Sequence, residues 1–303
     1  DKASDIVDAL VKAAKRGGAE IIQGTAKKIL TENGAVSGVL LENGEALPAD
    51  SVILATGGMS YPLTGSTGDG YKIARALGHA VTEIKPSLVA LNAHEGFCER
   101  LAGLSLKNVA ISVFEEGRKK PVFSELGEML FTHFGISGPL VLSASAHMRY
   151  IGKKQYTAAI DLKPGLTPEQ LDKRILRDFD EEKNRDFINS LNKLLPKSLI
   201  PIVVRLSCIE PDRKVNSISR EHRAALCRVL KEFTLHITGT RPIDEAIITR
   251  GGISVKEIDP KTMGSRLISG LYFAGEIIDV DAYTGGFNLQ IAFSTGFAAG
   301  SNV

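Results

Sequence analysis

The organisation of this chain is decided by one apolar stretch that ends in two glycines, Ser51-Val52-Ile53-Leu54-Ala55-Thr56-Gly57-Gly58. The stretch carries no ionisable side chain, which is typical of a strand that is covered on both faces within a parallel sheet. Ligands of open α/β folds bind at the carboxyl ends of such strands. The stretch therefore predicts a strand over residues 52–56 and a ligand-binding edge at Thr56, Gly57 and Gly58.

The residues ahead of this strand predict a small meander. A helix precedes Gly17-Gly18, and a short strand is expected over residues 20–23. Three strand-like runs follow, separated by Asn33-Gly34 and Asn43-Gly44. Asn-Gly supplies the two positive-φ residues of a type I′ turn, so the pattern predicts three antiparallel strands joined by hairpins.

A second buried-strand pattern lies near the end of the chain, over residues 271–275, and Glu276 follows it. An acid at this edge is positioned to accept a hydrogen bond from a sugar-like hydroxyl. Gly285-Gly286 then precedes a small-residue helix over residues 287–300. Glycines leave the first amides of that helix open to an anion, such as a pyrophosphate or the negative charge on a reduced flavin ring.

Each of these signals also has a purely structural interpretation. Gly-Gly after a strand can be an ordinary tight turn, and an acid after a strand can be a helix cap or a solvated loop residue. Small residues in the last helix can serve only close packing. In this order, with the meander ahead of residues 52–56, the three signals together favour a dinucleotide-binding architecture.

Two glycine-rich phosphate motifs are missing from the sequence. It contains neither G-x-G-x-x-G nor G-x-x-x-x-G-K-[ST]. We therefore expect that the sequence begins within a dinucleotide-binding unit whose first strand, glycine-rich turn and acid lie before Asp1.

Composition and charge narrow the class of protein. Lys and Arg number 37 and Asp and Glu 35, a net charge of +2, which gives no reason to expect a nucleic-acid or anionic-membrane partner. No apolar run approaches the ~18 residues of a membrane span, and no signal peptide opens the chain. The three cysteines are far apart and odd in number, which favours a reducing compartment. We expect a cytoplasmic protein.

Three longer motifs resemble those of a known family. They are Ala55-Thr56-Gly57-Gly58-Met59-Ser60-Tyr61-Pro62-Leu63-Thr64-Gly65-Ser66-Thr67-Gly68-Asp69-Gly70-Tyr71, Phe131-Thr132-His133-Phe134-Gly135-Ile136-Ser137-Gly138-Pro139, and Leu271-Tyr272-Phe273-Ala274-Gly275-Glu276 with Asp279, Asp281 and Thr284-Gly285-Gly286-Phe287-Asn288-Leu289-Gln290. Together they resemble the BaiN-like flavoproteins, bacterial FAD-dependent oxidoreductases that include the aminoacetone oxidases.

The resemblance implies an α/β fold of the two-dinucleotide-binding, glutathione-reductase-like kind. Residues 1–85 and 251–303 would form the FAD-binding domain, lacking its N-terminal βαβ unit. Residues 86–250, where alternating strands and a helical block occur, would form an inserted β-rich and helical domain. A substrate pocket is expected between the two.

The resemblance also implies where FAD meets the chain. Gly57 and Gly58 would lie near its nucleotide end and Glu276 near its ribitol. Gly286, Asn288 and Gln290 would lie near the pyrophosphate and ring. The full set of expected cofactor-binding residues is Thr56, Gly57, Gly58, Gly275, Glu276, Thr284, Gly285, Gly286, Phe287, Asn288 and Gln290.

His133 is the candidate catalytic residue, because it is the only histidine within a glycine-rich turn motif. It can contact substrate or flavin, or it can be a structural turn residue. The other five histidines have no ligand-like spacing, so no metal site is assigned.

Two hypotheses from different classes remain. The first is an FAD-dependent oxidoreductase that transfers a hydride or electrons to or from a small organic substrate, with NAD(P)H as a possible electron donor. The second is a non-catalytic nucleotide-binding or scaffold domain. The run from Glu276 to Gln290 favours the enzyme, because a scaffold has little need of an open helix start beside an acid. The sequence names neither the substrate nor the oligomeric state.

Overall fold

The structure, a computed structural model, describes residues 3–303. Its first element is α1 (Ala3–Arg16), in which no residue is buried. Residues 20–23 are not a strand, and Ile21 and Ile22 are exposed. A strand needs a neighbour for its backbone hydrogen bonds, and no sheet within residues 3–303 includes this segment.

The predicted meander is confirmed. β1 (Ala26–Glu32), β2 (Ala35–Leu41) and β3 (Ala46–Pro48) form an antiparallel sheet in the order β1-β2-β3. Asn33 and Gly34 have φ of 52° and 81°, as a type I′ turn requires.

The strand that decided the prediction, β4 (Val52–Leu54), is shorter than expected. Leu54 is buried, but Ile53 is 37% exposed. The expectation of a strand covered on both faces is therefore wrong for residues 3–303, because no layer of them closes over the Ile53 side chain. Helix α2 (Asp69–Ala76) follows the glycines Gly65 and Gly68, and β5 (Lys85–Ser87) follows α2.

Six antiparallel strands then form a closed barrel. They are β6 (Leu91–Ala93), β7 (Ser105–Glu115), β8 (Phe123–Thr132), β9 (Gly135–Ser137), β10 (Tyr156–Asp161) and β11 (Phe233–Thr240). Their order around the barrel is β10-β11-β6-β9-β8-β7. Burial alternates along β10, so one face of the strand fills the barrel and the other is partly open to solvent.

Helices accompany the barrel strands. They are α3 (Phe97–Arg100), α4 (Pro139–Ser145), α5 (Pro168–Glu181), α6 (Phe187–Ser190), α7 (Ile200–Ser207) and α8 (Arg220–Lys231). The sequence Thr167-Pro168-Glu169-Gln170 is a capping-box pattern, and in the structure Thr167 and Gln170 bond reciprocally at the start of α5. Ser219 caps α8, with His222 as its partner. Within residues 3–303, no helix has the length and apolar character required to cross a lipid bilayer.

After the barrel, the chain forms two strands that pair with strands lying before the barrel in sequence. β12 (Ile248–Arg250) pairs antiparallel with β5. β13 (Leu271–Phe273) pairs in parallel with β4, so the strands that the sequence predicts over residues 52–56 and 271–275 are direct neighbours. The last element is α9 (Phe287–Gly300), with the predicted bounds. The architecture is mixed α/β.

The buried side chains fall into two cores. The larger core fills the barrel and the space under its helices, from Leu91 to Ile237. The smaller core joins the early and late parts of the chain, including Ile29, Leu54 and Phe273. The β5–β12 pair lies at the junction, and this places β12 beside the loop that follows β13.

Candidate functional site

The carboxylate of Glu276 is fixed at the carboxyl end of β13. Its Oε1 accepts a hydrogen bond from the backbone N–H of Thr249, at 2.6 Å, and one from the Ser60 hydroxyl, at 3.2 Å. The Gly275 N–H just before it donates to Thr295 Oγ1 on α9, at 2.9 Å. Both bonds to the carboxylate end on Oε1, and no hydrogen bond from residues 3–303 reaches Oε2. Oε2 can therefore accept a hydrogen bond from a ligand hydroxyl.

The glycines after β4 are required by close packing. A Cβ on Gly58 would overlap the Thr249 side chain and lie 2.8 Å from Glu276 Oε1. Gly57 has φ of 72°, and a Cβ there would lie 2.7 Å from Ser66 Oγ. The Thr56 side chain occupies the space that a Cβ on Gly70 would need. The protein itself thus accounts for these small residues, and their expected contacts with FAD stay a prediction.

The start of α9 is open. Gly285 and Gly286 have φ of 106° and 89°, a conformation that strains any other residue. No side chain caps the helix. A Cβ built on Gly286 would meet no atom within 4 Å. The free amides and the positive end of the helix dipole therefore face open space, as anion binding requires.

Asn288 shapes the loop before the helix. Its Nδ2 donates to the carbonyl oxygens of Ala282, at 2.9 Å, and Tyr283, at 3.2 Å. Its Oδ1 accepts from the Ala282 N–H, at 2.9 Å. The Asn288 side chain is thus engaged with the loop backbone. Gln290 likewise bonds within α9, with Nε2 donating to Ser294 at 2.9 Å.

A cavity of about 370 Å³ brings the acid and the helix start together. Its polar lining includes Glu276, Tyr283 and Asn288, and Gly285 and Gly286 form part of its wall. Its apolar lining consists of Leu88, Ile247, Ile248, Val280, Leu289, Ile291 and Ala292. An apolar cavity with a few convergent polar groups is the usual form of a small-molecule site. Thr56, Gly57, Gly58 and His133 do not line it.

A second cavity, of about 410 Å³, adjoins the first through Tyr283, which lines both. Its other lining residues include His147, Arg250 and Phe287. His147 Nε2 and the Tyr283 hydroxyl form a short hydrogen bond, and their rings stack with centroids 5.4 Å apart. Burial lowers the pKa of His147 below its ordinary value. The imidazole is therefore neutral near neutral pH.

The HI0933-like protein Rossmann domain matches residues 1–302. The chain belongs to the HI0933-like family. This confirms the resemblance to the BaiN-like flavoproteins and gives the mixed α/β fold a Rossmann-like domain.

Relatives of this HI0933-like chain are longer than it is. It is 32% identical over 303 residues to 3-dehydro-bile acid delta(4,6)-reductase of Clostridium scindens, covering 99% of this chain and 73% of that protein. It is 30% identical over 304 residues to ribosomal RNA dihydrouridine synthase of Escherichia coli, covering 100% of this chain and 72% of that protein. The Haemophilus influenzae protein of the same name is 30% identical over 306 residues, with 99% and 73% covered.

The likeness to solved structures is weaker. GidA of Aquifex aeolicus in its form I crystal has a TM-score of 0.36 and 13% identity. The match covers 97% of this chain and 48% of that one, so the HI0933-like chain spans about half of its length. A score this low carries no argument about function.

The catalytic candidate His133 lies away from both cavities of the HI0933-like chain. It is exposed in the turn between β8 and β9, with its ring 5.0 Å from that of Phe134. Phe134 in turn lies under the Arg241 guanidinium, 4.5 Å from the ring centroid. This setting fits the second interpretation of His133, as a structural residue of the turn. A catalytic role for His133 stays a prediction. Among residues 3–303, no group of three or more His, Cys, Asp or Glu is arranged to hold a metal ion.

Three residues that shape the site were not predicted from the sequence. Thr249 fixes Glu276 and also accepts hydrogen bonds on Oγ1 from the N–H groups of Met59, at 2.7 Å, and Ser60, at 3.1 Å. No local pattern marks it. Tyr283 stands directly before Thr284-Gly285-Gly286, and this position could have indicated it. Its partner His147 is 136 residues away in sequence, and no motif around His147 indicated a place in the site.

Proposed function

We propose that this chain is the flavin- and substrate-binding part of an FAD-dependent oxidoreductase that reduces a carbon–carbon double bond conjugated to a carbonyl. The observation that carries the proposal is the cavity that both the open start of α9 and Glu276 line, together with a Glu276 Oε2 that accepts no hydrogen bond from residues 3–303. Electron donation by NAD(P)H and a cytoplasmic location belong to the same proposal. A small organic substrate is the expected one, and the test below includes RNA so that the two substrate classes are distinguished.

The residues present fit FAD. The amides at Gly286, Phe287 and Asn288 would receive a pyrophosphate or the anionic edge of a reduced ring. Glu276 Oε2 would accept a hydrogen bond from a ribityl hydroxyl, while Thr249 and Ser60 hold the carboxylate in place. When bound, FAD supplies the hydride chemistry. The protein orients both reactants, and the apolar walls of the cavity exclude water.

The domain division is also proposed. Residues 1–85 with 251–303 would form a two-dinucleotide FAD domain, and residues 86–250 the inserted domain. The parallel pairing of β4 with β13 and the two separate hydrophobic cores support this division. The adjoining cavities draw residues from both parts, since His147 and Tyr283 lie on opposite sides of the division.

The names of two relatives support the reaction class. One is a delta(4,6)-reductase of a 3-dehydro-bile acid, which denotes double bonds in conjugation with a ring ketone. The other makes dihydrouridine, which denotes loss of the uracil double bond beside a ring carbonyl. Both names describe hydride addition to an electron-poor C=C bond, although the two substrates differ greatly in size. A shared reduction with divergent substrates is what one flavin site with variable surroundings would produce.

The test uses the protein as encoded by its full reading frame. A visible absorption spectrum after purification should show bound flavin. The flavin is then photoreduced without oxygen and mixed with a 3-oxo-4,6-diene bile acid or with ribosomal RNA, and its reoxidation is followed. Reoxidation with formation of the saturated product supports the proposal. A colourless protein, or a flavin that neither probe reoxidises, overturns it and favours a scaffold or a different oxidoreductase.

A further inference from the structure

Tyr283 occupies the wall shared by the two cavities and is 42% exposed. Resting on the proposed function, we propose that Tyr283 is the catalytic proton donor of this site and that His147 positions its hydroxyl and restores its proton. Neither residue belongs to the set that the sequence predicted for the site.

The hydrogen bond and ring stacking of His147 and Tyr283 give them one relative orientation. His147 contacts two aromatic rings, with its ring centroid 5.3 Å from that of Phe123 and 5.4 Å from that of Tyr283. Its imidazole can therefore turn little, and Nε2 stays directed at the phenol.

The loop that carries Tyr283 is fixed as well. Asn288 holds the loop by its backbone, as described above. Asp281 accepts from the Arg250 guanidinium at 3.1 Å and from the Ser87 hydroxyl at 2.9 Å. Arg250 also donates to the Ala146 carbonyl, next to His147. The phenol is thus held at a set position relative to the start of α9, where the cofactor would lie.

The proposed reaction needs an acid at this place. Hydride addition to the carbon β to the carbonyl breaks the C=C π bond, and the electron pair moves to the carbonyl oxygen as an enolate. Collapse of the enolate requires a proton at the α carbon. Tyr283 supplies it from its hydroxyl, and the resulting phenolate accepts a hydrogen bond from His147 Nε2–H. His147 passes its Nε2 proton to the phenolate while Nδ1 takes a proton from a hydronium ion of the solvent. Exchange with solvent then returns the imidazole to the Nε2–H tautomer before the next turnover, so the substrate gains one hydride and, overall, one proton from solvent.

The surroundings of His147 suit this role. Burial lowers its pKa, and Arg250 and Arg149 act in the same direction, while Glu125 and Asp281 oppose them. A neutral imidazole carries one N–H and one free nitrogen, which the exchange described above requires.

The experiment compares Tyr283→Phe, His147→Gln and His147→Leu with the parent, and uses Tyr150→Phe as the matched control. Tyr150 is an exposed tyrosine with 46% of its surface accessible, and it lines neither cavity. Flavin reoxidation is measured with whichever of the two probes the parent reduces. We expect Tyr283→Phe to slow it by ~10²–10⁴-fold with flavin content unchanged. His147→Gln should retain more activity than His147→Leu, because its amide N–H can still donate to the phenol.

Nitrogen NMR of the His147 ring gives a readout that needs no turnover. In the parent the proton should reside on Nε2, and Tyr283→Phe should change the tautomer balance. A proton on Nδ1 in the parent would overturn the inference, because the Tyr283 hydroxyl would then be committed to His147. Unchanged reoxidation in Tyr283→Phe, or equal rates in the two His147 variants, would do the same while leaving the proposed function intact. A parent that reduces neither probe removes the proposed function and this inference with it.

Discussion

The Oε1 atom of Glu276 lies 2.6 Å from the backbone nitrogen of Thr249. This contact joins the carboxyl end of β13 to β12, and Thr249 in turn accepts hydrogen bonds from the turn after β4. One carboxylate therefore holds together three segments that are distant in sequence. The same residue also lines the cavity beside the start of α9, so we expect Glu276 to serve both the packing of these segments and the proposed binding of FAD.

Glu276→Ala should lower the stability of the protein. It leaves the Thr249 N–H without its acceptor, and such a loss typically costs about 1–3 kcal/mol. Glu276→Gln should cost less, because its amide oxygen can still accept. Urea unfolding measures the free energy of unfolding of each variant. Glu128→Ala, at an exposed position on the barrel, is the control, and an equal loss there would refute the role given to Glu276.

Gly58→Ala should also destabilise the protein, with or without flavin. The added methyl would overlap the Thr249 side chain and press on Glu276, and overpacking of this kind costs typically about 1–3 kcal/mol. The free energy of unfolding is again the measurement. Gly96→Ala is the control, since a Cβ on Gly96 meets no atom within 4 Å and the residue has φ of −61°. If both variants unfold like the parent, the packing explanation for Gly58 is wrong.

Local chemistry explains why much of the fold could be predicted. Asn33-Gly34 defines a turn by itself, and Thr167 with Gln170 defines a helix start by itself. The open start of α9 was predicted for the same reason, because two adjacent glycines and a helix pattern suffice.

The contacts that complete the site depend on distant residues. Thr249 and Glu276 are 27 residues apart, and His147 and Tyr283 are 136 apart. Whether the two members of each pair come into contact depends on how β12 and α4 pack in the folded protein. No periodicity or spacing in the sequence predicts these contacts. Ile53 illustrates the same limit, since its apolar character indicated burial that residues 3–303 do not supply.

Stability should fall as the pH drops through about 6.5. His79 is buried, its Nδ1 has no hydrogen-bond partner within residues 3–303, and burial lowers its pKa from 6.5 although Glu257 opposes this. Below pH 6.5 the unfolded chain binds a proton that the folded chain does not, so protonation favours unfolding until the folded pKa is passed. His79→Gln should weaken the pH dependence of the urea midpoint. His94→Gln, at an exposed position, should leave it as in the parent, and equal slopes in all three proteins would contradict the argument.

The start of α9 is tested by Gly286→Val beside Gly44→Val. The two glycines have nearly the same φ, 89° and 91°, and a Cβ on either meets no atom within 4 Å. A β-branched residue is therefore strained to a similar extent at both, by about 1–3 kcal/mol, and both variants should lose similar stability.

Gly44 lies in the hairpin between β2 and β3, whereas Gly286 lines the cavity beside Glu276. If FAD binds there, only Gly286→Val should purify with less flavin than the parent, because its side chain fills the space before the helix amides. The flavin-to-protein absorbance ratio, measured with the full-length protein, decides the matter. Equal flavin content in both variants would show that Gly285-Gly286 is a structural turn and that the cofactor binds elsewhere.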